Sequence, residues 1–113
     1  MGSAPGPRMT VHTVLVLRTL LENPAEELYG LELCGRAGLA SGTIHPILAR
    51  LEQCGWLESR WEDIDPHERG RPRRRYYRLS PRGTEQARRA VAQADARGVG
   101  LRVLRPGLAG GGA

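Results

Sequence analysis

The hydrophobic residues in the first third of the chain recur at helical spacing. Between positions 10 and 22 an apolar side chain returns every three or four residues until Pro24 ends the pattern, which predicts a first amphipathic helix. A shorter helix is predicted over residues 29–37, with Leu31 facing inward and Gly38 as a typical C-terminal signal. Each of these helices would bury one apolar face.

A third helix is predicted over residues 42–53, with Ser41 as its N-cap and Gly55 closing it. Its apolar positions follow the i, i+3, i+4, i+7 pattern of one buried face: Ile44, Ile47, Leu48 and Leu51. Pro46 lies in the second turn, where it removes a backbone hydrogen bond, so we expect a wide or kinked start. The short segment before Ser41 predicts a tight turn between the second and third helices.

The middle of the chain changes to strand spacing. Residues 56–62 alternate between two faces, which predicts a strand, and residues 74–79 predict the returning strand of a hairpin. Residues 63–72 are polar, with two prolines and a glycine, and predict a long loop. Ser80 then caps a last helix over residues 81–97, whose apolar face is mostly alanine. Small side chains allow close helix approach, so we expect it to pack on another helix, including one from a second subunit.

Composition limits the size and place of the protein. The 113 residues suffice for one small domain, and we expect the glycine- and proline-rich ends, residues 1–8 and 98–113, to be disordered and flexible. A weak extra contact through Leu101, Val103 and Leu104 is the alternative for the C-terminal end. Without phenylalanine the core must be mostly leucine, valine, isoleucine and alanine, and a dimer would enlarge it. No apolar run reaches the length of a membrane span, and the N-terminus lacks a signal peptide's apolar region. We therefore expect a cytoplasmic protein with no membrane partner.

The sequence gives little support to metal or catalytic chemistry. Cys34 and Cys54 lack Cys-x-x-Cys spacing and the three histidines are scattered, so we expect reduced, partly buried thiols and no cofactor. A zinc site built from both cysteines and one histidine is the minor alternative. No nucleophile and base form a recognisable motif, and a chain without lysine has no Gly-x-x-x-x-Gly-Lys phosphate loop, so we expect no enzyme.

The positive charge is concentrated in one place, the basic segment of residues 69–78. Six of the seventeen arginines lie there, so this segment has a formal charge of +6, while the other 103 residues, with eleven arginines and twelve acids, have −1. Gly70 and Pro72 disfavour a helix and predict an extended cationic loop that leads into the second strand. Guanidinium groups suit bidentate contact with phosphates and base edges. Nucleic acid is the favoured partner; a solvated linker and a protein-docking patch are the alternatives.

Three helices followed by a hairpin with a basic tip give the order of a winged helix-turn-helix. Four strings resemble the PadR family of bacterial transcriptional regulators: residues 29–33, 41–52, 55–59 and 70–83. The most specific are the Ser-Gly-Thr-Ile-x-Pro-Ile-Leu helix and the Gly-Arg-Pro-Arg-Arg-x-Tyr-Tyr hairpin, and the resemblance runs from about Val11 to Ala94. Two positions depart from the family pattern, which usually has tyrosine at His45 and often at Leu31.

The resemblance implies a mainly α-helical homodimer with a two-stranded β wing, the name used here for residues 56–79. A winged helix-turn-helix over residues 9–80 would bind double-stranded DNA with its third helix in the major groove, and residues 81–97 would form the C-terminal dimerisation helix. The implied function is that of a sequence-specific regulator, a repressor, on an inverted repeat. A small-molecule effector would bind at the dimer interface, between the first and last helices. The alternative is a winged-helix module for protein–protein interaction without operator binding.

We expect the DNA contacts of the third helix at its N-terminal end. Backbone N–H groups and the helix dipole favour a phosphate beside three residues there: Ser41, Gly42 and Thr43. Thr43 and His45 are expected to face base edges, with a purely structural role equally open for His45. Arg50 points away from the apolar stripe toward the DNA backbone. Tyr29 has two open interpretations, a donor to a phosphate and a half-buried ring.

The wing carries Arg69-Gly70-Arg71-Pro72, which matches the Arg-Gly-Arg-Pro core of minor-groove AT-hook peptides. Proline keeps such a chain extended, glycine keeps it slim, and arginine favours the negative potential of a narrow groove. We therefore expect Arg71 and Arg73 in or beside the minor groove. Three further arginines are assigned to flanking phosphates: Arg69, Arg74 and Arg75. Arg78 is expected to pair within the hairpin.

Overall fold

The computed structural model describes residues 6–98. Its elements follow in this order: α1 (Val11–Leu21), β1 (Leu28–Tyr29), α2 (Gly30–Ala37), α3 (Ser41–Gln53), β2 (Leu57–Trp61), α4 (Pro66–Arg69), β3 (Arg75–Leu79) and α5 (Pro81–Ala96). The predicted helices, hairpin and last helix are all confirmed. The expected disorder of residues 1–5 and 99–113 lies outside the described residues, and residues 6–10 form neither helix nor strand.

The sheet has three strands rather than the expected two. The strand order is β1-β3-β2 and both pairs are antiparallel, with Leu57 opposite Leu79 at one end of the β2–β3 hairpin and Trp61 opposite Arg75 at the other. Strand β1 was missed because it has two residues, too few to show a period. It ties the segment before α2 to β3, with Tyr29 opposite Tyr76, so the second helix begins beside the loop end of the β2–β3 ladder.

The core lies between the inner faces of the helices and one face of the sheet. The apolar stripe predicted for α3 faces the core, with Ile44, Leu48 and Leu51 fully buried and Ile47 half-buried against them. Leu31, expected inward, is 73% exposed, so that prediction was wrong. Helix α2 has only eight residues, and the leucine that it buries is Leu33, while the preceding strand supplies a buried leucine of its own.

The start of α3 differs from the prediction by one residue. Ala40 occupies the N-cap position and no side chain caps the helix, so Ser41 is its first residue and not its cap. The first helix-closing bonds run from the amides of Thr43 and Ile44 to the Ala40 carbonyl. Pro46 lies inside the helix, in the second turn, as predicted.

The start of α5 is anchored to the turn between α3 and β2. Ser80 caps the helix as predicted, because its hydroxyl accepts from the Gly83 amide at 2.9 Å and donates to the Gly55 carbonyl at 2.8 Å. The Ser80 amide donates to the Trp56 carbonyl at 2.9 Å. A Cβ placed on Gly83 would lie only 2.0 Å from the Trp56 carbonyl oxygen, so only glycine fits at that position.

The loop expected over residues 63–72 contains a helical turn, α4. Asp65 caps it by accepting from the His67 amide at 2.9 Å, Pro66 begins it, and Gly70 ends it with a φ of +70°. An acid followed by proline is an N-terminal helix signal. The sequence analysis predicted only a loop here and missed this signal. Among the described residues, no helix is long and apolar enough to cross a membrane.

Candidate nucleic-acid interface

One face of α3 is open to solvent, opposite the buried stripe. Ser41, Gly42, His45 and Arg50 are exposed on it, and Thr43 is half-buried. The amides of Ser41 and Gly42 precede the first helix-closing bonds, so the helix N-terminus offers unused donors and the positive end of its dipole. Of the residues expected on the DNA side of α3, four are therefore open to solvent and Thr43 is partly so.

His45 is packed against the first residue of α2. A Cβ placed on Gly30 would lie 3.2 Å from the His45 Cε1, closer than most such contacts, and 3.8 Å from its Nε2, an ordinary van der Waals distance. The absence of a side chain at position 30 thus lets the imidazole lie beside the start of α2. His45 thus connects the third helix to the start of the second.

Tyr29 is half-buried in a stack of rings and guanidinium groups. Its ring centroid lies 5.8 Å from that of Tyr76 in an edge-to-face arrangement, and the Arg74 guanidinium lies 4.2 Å from the Tyr29 centroid. The Arg60 guanidinium lies 5.1 Å from the Tyr76 ring centroid. Glu32 fixes the same corner by accepting from the Tyr29 amide at 3.1 Å. The cation–π contact with the Tyr29 ring positions the Arg74 guanidinium.

Glu62 binds the loop of the wing to the end of β2. Arg71 donates to both oxygens of this carboxylate, at 2.8 and 2.9 Å, and the Arg74 amide donates to the same carboxylate at 3.1 Å. The hydrogen bonds from Arg71 lower the pKa of Glu62 from 4.5 to about 2. The Glu62 side chain is 14% exposed. The guanidinium expected in the minor groove is therefore engaged within the wing.

Two more arginines of the basic segment are paired with carboxylates. Arg75 donates to Glu52 of α3 at 3.3 Å, and its guanidinium lies 5.1 Å from the Trp61 ring centroid. Arg78 donates to Glu58 across the hairpin at 3.3 Å, which confirms the expected pairing within the hairpin. The pairing of Arg75 joins the wing to the third helix.

The other three arginines of the segment have no carboxylate partner within residues 6–98. Arg69 and Arg73 are exposed, and Arg73 donates from its Nε to the Ile64 carbonyl at 2.9 Å. The Arg74 side chain lies on the Tyr29 ring. The segment's formal charge of +6 thus includes three cations that are already paired and three that are available to a polyanion.

The sequence reading missed the acids that organise the wing. Glu62 ends the predicted first strand directly opposite the basic segment, and its amide donates to the Arg74 carbonyl at 2.7 Å. An acid across a hairpin from a run of arginines is the signal that could have found it. Glu52 carried no such signal, because its approach to Arg75 depends on how α3 packs against the sheet.

Metal ligation has no support in the part of the chain that the structure describes, where no three potential ligands come together. Cys34 and Cys54 are both half-buried.

A helix-turn-helix with one exposed helix face, flanked by a sheet whose hairpin carries available arginines, defines a winged helix-turn-helix protein. The model of the Transcriptional regulator PadR-like family matches residues 16–89. The chain belongs to this family. The sequence resemblance is therefore confirmed, and the family is one of transcriptional regulators.

Solved structures share the fold. A PadR-like transcriptional regulator from Bacillus cereus is 22% identical, with 83% of this chain and 90% of that one covered and a TM-score of 0.59. A PadR family transcription regulator from Clostridium difficile is 19% identical, with 86% of this chain and 96% of that one covered and a TM-score of 0.59. Reduced AbfR bound to DNA is 26% identical, with 75% of this chain and 58% of that one covered and a TM-score of 0.57. No curated protein matches the chain.

Proposed function

We propose that this protein is a repressor that binds an inverted repeat in double-stranded DNA as a homodimer. The observation that carries the proposal is the continuity of one surface. Arg74 lies on the Tyr29 ring, Tyr29 precedes Gly30, and Gly30 lies against His45 on the exposed face of α3. Contacts thus lead from Arg74, one of the available arginines of the wing, to the open face of α3. The structure of AbfR bound to DNA supports a DNA partner for a related chain.

The third helix would read the major groove. The free amides at the N-terminus of α3, at Ser41 and Gly42, suit a phosphate. Thr43 and His45 would face base edges, and Arg50 would reach the DNA backbone. Because the first intrahelical bonds begin at Ala40, the phosphate site lies one residue earlier than a Ser41 cap would place it.

The wing would contact the minor groove and its flanking phosphates through its available cations. Arg73 is exposed and would lie at the edge of the groove beside a phosphate, with Arg69 and Arg74 on the flanking phosphates. Arg71 and Arg75 are held by Glu62 and Glu52, so their role is to shape the wing and to fix its angle to α3. The proposal keeps the basic segment as the DNA-contacting surface. Only some of its arginines would contact DNA, and the others would hold the wing in shape.

The homodimer would form through α5. This helix packs on α1, and the ion pair between Arg18 of α1 and Asp95 of α5 strengthens that packing. Two small residues of α5, Ala92 and Ala96, are exposed to solvent. A two-fold dimer presents two α3 helices and two wings, so it would read half-sites about one helical turn apart. Action on chromosomal DNA would place the protein in the cytoplasm.

An effector site is proposed in the groove between α1 and α5. The groove measures about 480 Å3 and its lining includes Leu15, Arg18, Arg36 and Val91. Two arginines, Arg18 and Arg36, and one acid, Glu22, line the groove. The surplus of guanidinium groups favours a small acidic effector.

Selection of bound duplexes from a random pool tests the function. We expect the purified protein to enrich an inverted repeat whose half-site centres are about 10 base pairs apart. A module for protein–protein interaction would enrich no sequence, and its affinity for DNA would be unchanged when Arg73 is replaced by alanine. Absence of duplex binding at low ionic strength would overturn the proposed function.

A further inference from the structure

The wing presents a cavity that the proposed DNA contacts leave largely unused. This Trp61 cavity is a wide depression, open to solvent, of about 680 Å3, and it is lined by Trp61, Pro66, His67, Pro72 and Arg73. Trp61 is 58% exposed, whereas Trp56, the second tryptophan of the chain, is 7% exposed. Exposed tryptophan loses the benefit of burying a large ring. A preformed cavity around it therefore indicates a partner.

The lining of the Trp61 cavity is held in place by several independent contacts. Trp61 lies opposite Arg75 in the β2–β3 ladder, and the Arg75 guanidinium lies 5.1 Å from the indole centroid. Pro66 begins α4, and Pro72 follows Arg71, which Glu62 holds. Proline backbones are restricted in φ. The cavity can thus accept a partner with little reordering, which reduces the entropic penalty of binding.

The cavity combines an apolar lining with unused hydrogen-bond donors. Arg73 donates its Nε to the Ile64 carbonyl, and its two Nη groups have no partner within residues 6–98. The indole and the two prolines provide the apolar surface. A simple anion would leave that surface exposed, and a purely apolar ligand would leave the guanidinium donors unused. The chemistry fits a ligand in which an apolar face adjoins an anion.

We propose that the Trp61 cavity binds one deoxyribose–phosphate unit of the operator at the edge of the minor groove, an inference that rests on the proposed function. The C–H face of the sugar packs on Trp61 and the prolines, and the adjoining phosphate accepts from Arg73. The position supports this occupant, because the Trp61–Arg75 end of the hairpin is opposite the Leu57–Leu79 end from which α5 begins. The charge supports it too, because Arg73, which has no carboxylate partner within residues 6–98, lines the cavity beside the indole.

Two measurements on the wild-type protein test the cavity directly. Acrylamide quenching of tryptophan fluorescence reports access to Trp61, with Trp61→Phe giving the background from Trp56. Hydroxyl-radical cleavage reports the exposure of individual deoxyriboses. With the duplex recovered from the random pool, we expect quenching of Trp61 to fall several-fold on binding, and the outermost sugars of each half-site to be protected.

Variants separate this contact from the rest of the interface. Trp61→Ala is expected to lower affinity about tenfold, the order for one buried aromatic face, to remove only the outermost protections, and to leave the salt dependence unchanged because indole is neutral. Trp61→Phe should keep most of the affinity, which guards against a folding defect in the alanine variant. Arg82→Ala, which removes an exposed cation at the start of α5, is the control and should leave the protections intact.

The outcomes distinguish the two proposals. If the protein binds duplex while Trp61 stays open to acrylamide and the footprint of Trp61→Ala equals that of the wild type, the cavity has another occupant and this inference fails alone. Saturable protection of Trp61 by a proline-rich peptide or an aromatic carboxylate, without protection by duplex, would also overturn it. If no duplex binds at all, the proposed function fails and this inference with it.

Discussion

Arg71 donates from both of its Nη groups to Glu62. The second arginine of the Arg-Gly-Arg-Pro motif is therefore bound to a carboxylate of the wing itself. The carboxylate also accepts from the Arg74 amide, which closes the basic segment onto the end of β2. An acid in the middle of the proposed DNA-binding surface would repel phosphate. The geometry that Glu62 imposes on the wing offsets this repulsion.

Replacement of Glu62 by glutamine should weaken DNA binding several-fold. Removal of a negative charge alone would strengthen binding to a polyanion, but loss of the Glu62–Arg71 pair loosens the segment that carries Arg73. Fluorescence anisotropy with a labelled operator measures the change. Asp63→Asn is the matched control, because Asp63 is an exposed acid next in the chain, and it should bind as well as the wild type or better. Equal strengthening in both variants would show that charge alone matters.

The Glu62–Arg71 pair should open in acid. The pKa of Glu62 is lowered in the folded wing, from 4.5 to about 2, so its stabilising contribution is present above pH 4.5 and is lost as the pH falls toward 2. The side-chain carboxyl resonance of Glu62, followed by NMR, should titrate with a midpoint near 2. In Arg71→Ala the midpoint should move back toward 4.5. A midpoint unaffected by that substitution would remove Arg71 as the cause.

The three unpaired arginines should dominate the salt dependence of binding. Each phosphate contact contributes about 0.9 to the slope of log affinity against log salt concentration. Arg69→Ala and Arg73→Ala should each reduce that slope by about one per subunit, whereas Arg78→Ala should change it little because Arg78 already pairs with Glu58. Titrations at several salt concentrations measure the slopes. Equal reductions for all three variants would mean that pairing in the free protein does not decide which arginines meet DNA.

Much of the fold followed from periodicity, and the failures have physical causes. The stripe of α3 and the Ser80 cap of α5 were predicted because a buried helix face and a cap have strong local patterns. Leu31 was placed wrongly, because a helix of two turns cannot show by spacing alone which leucine is buried. At the candidate site the sequence indicated the basic segment, but it did not indicate which of the arginines pair with carboxylates. Whether an arginine pairs depends on acids brought close by the fold, such as Glu52 in α3.

Gly83 should be essential for stability. A Cβ at this position would lie 2.0 Å from the Trp56 carbonyl oxygen, a backbone atom that cannot move without shifting the turn. Gly83→Ala should therefore lower the free energy of unfolding by at least about 2 kcal/mol. Gly35→Ala is the control, since nothing lies within 4 Å of its Cβ position in α2, and it should stabilise the protein by about 0.5–1 kcal/mol. Urea unfolding curves compare the two. Equal stability of both variants would contradict the close packing of α5 on this turn.

Gly30 should influence DNA specificity through His45. A methyl group at position 30 would lie 3.2 Å from the His45 Cε1, so the imidazole must shift by a few tenths of an ångström, while alanine in the first turn of α2 leaves the helix intact. Gly30→Ala should therefore keep its stability and change the bases enriched next to His45 in the random-pool selection. A double-mutant cycle identifies the route. In a His45→Ala background the Gly30 substitution should have no further effect on specificity, since no imidazole remains to be displaced. An effect of equal size in both backgrounds would show that α2 acts on DNA independently of His45.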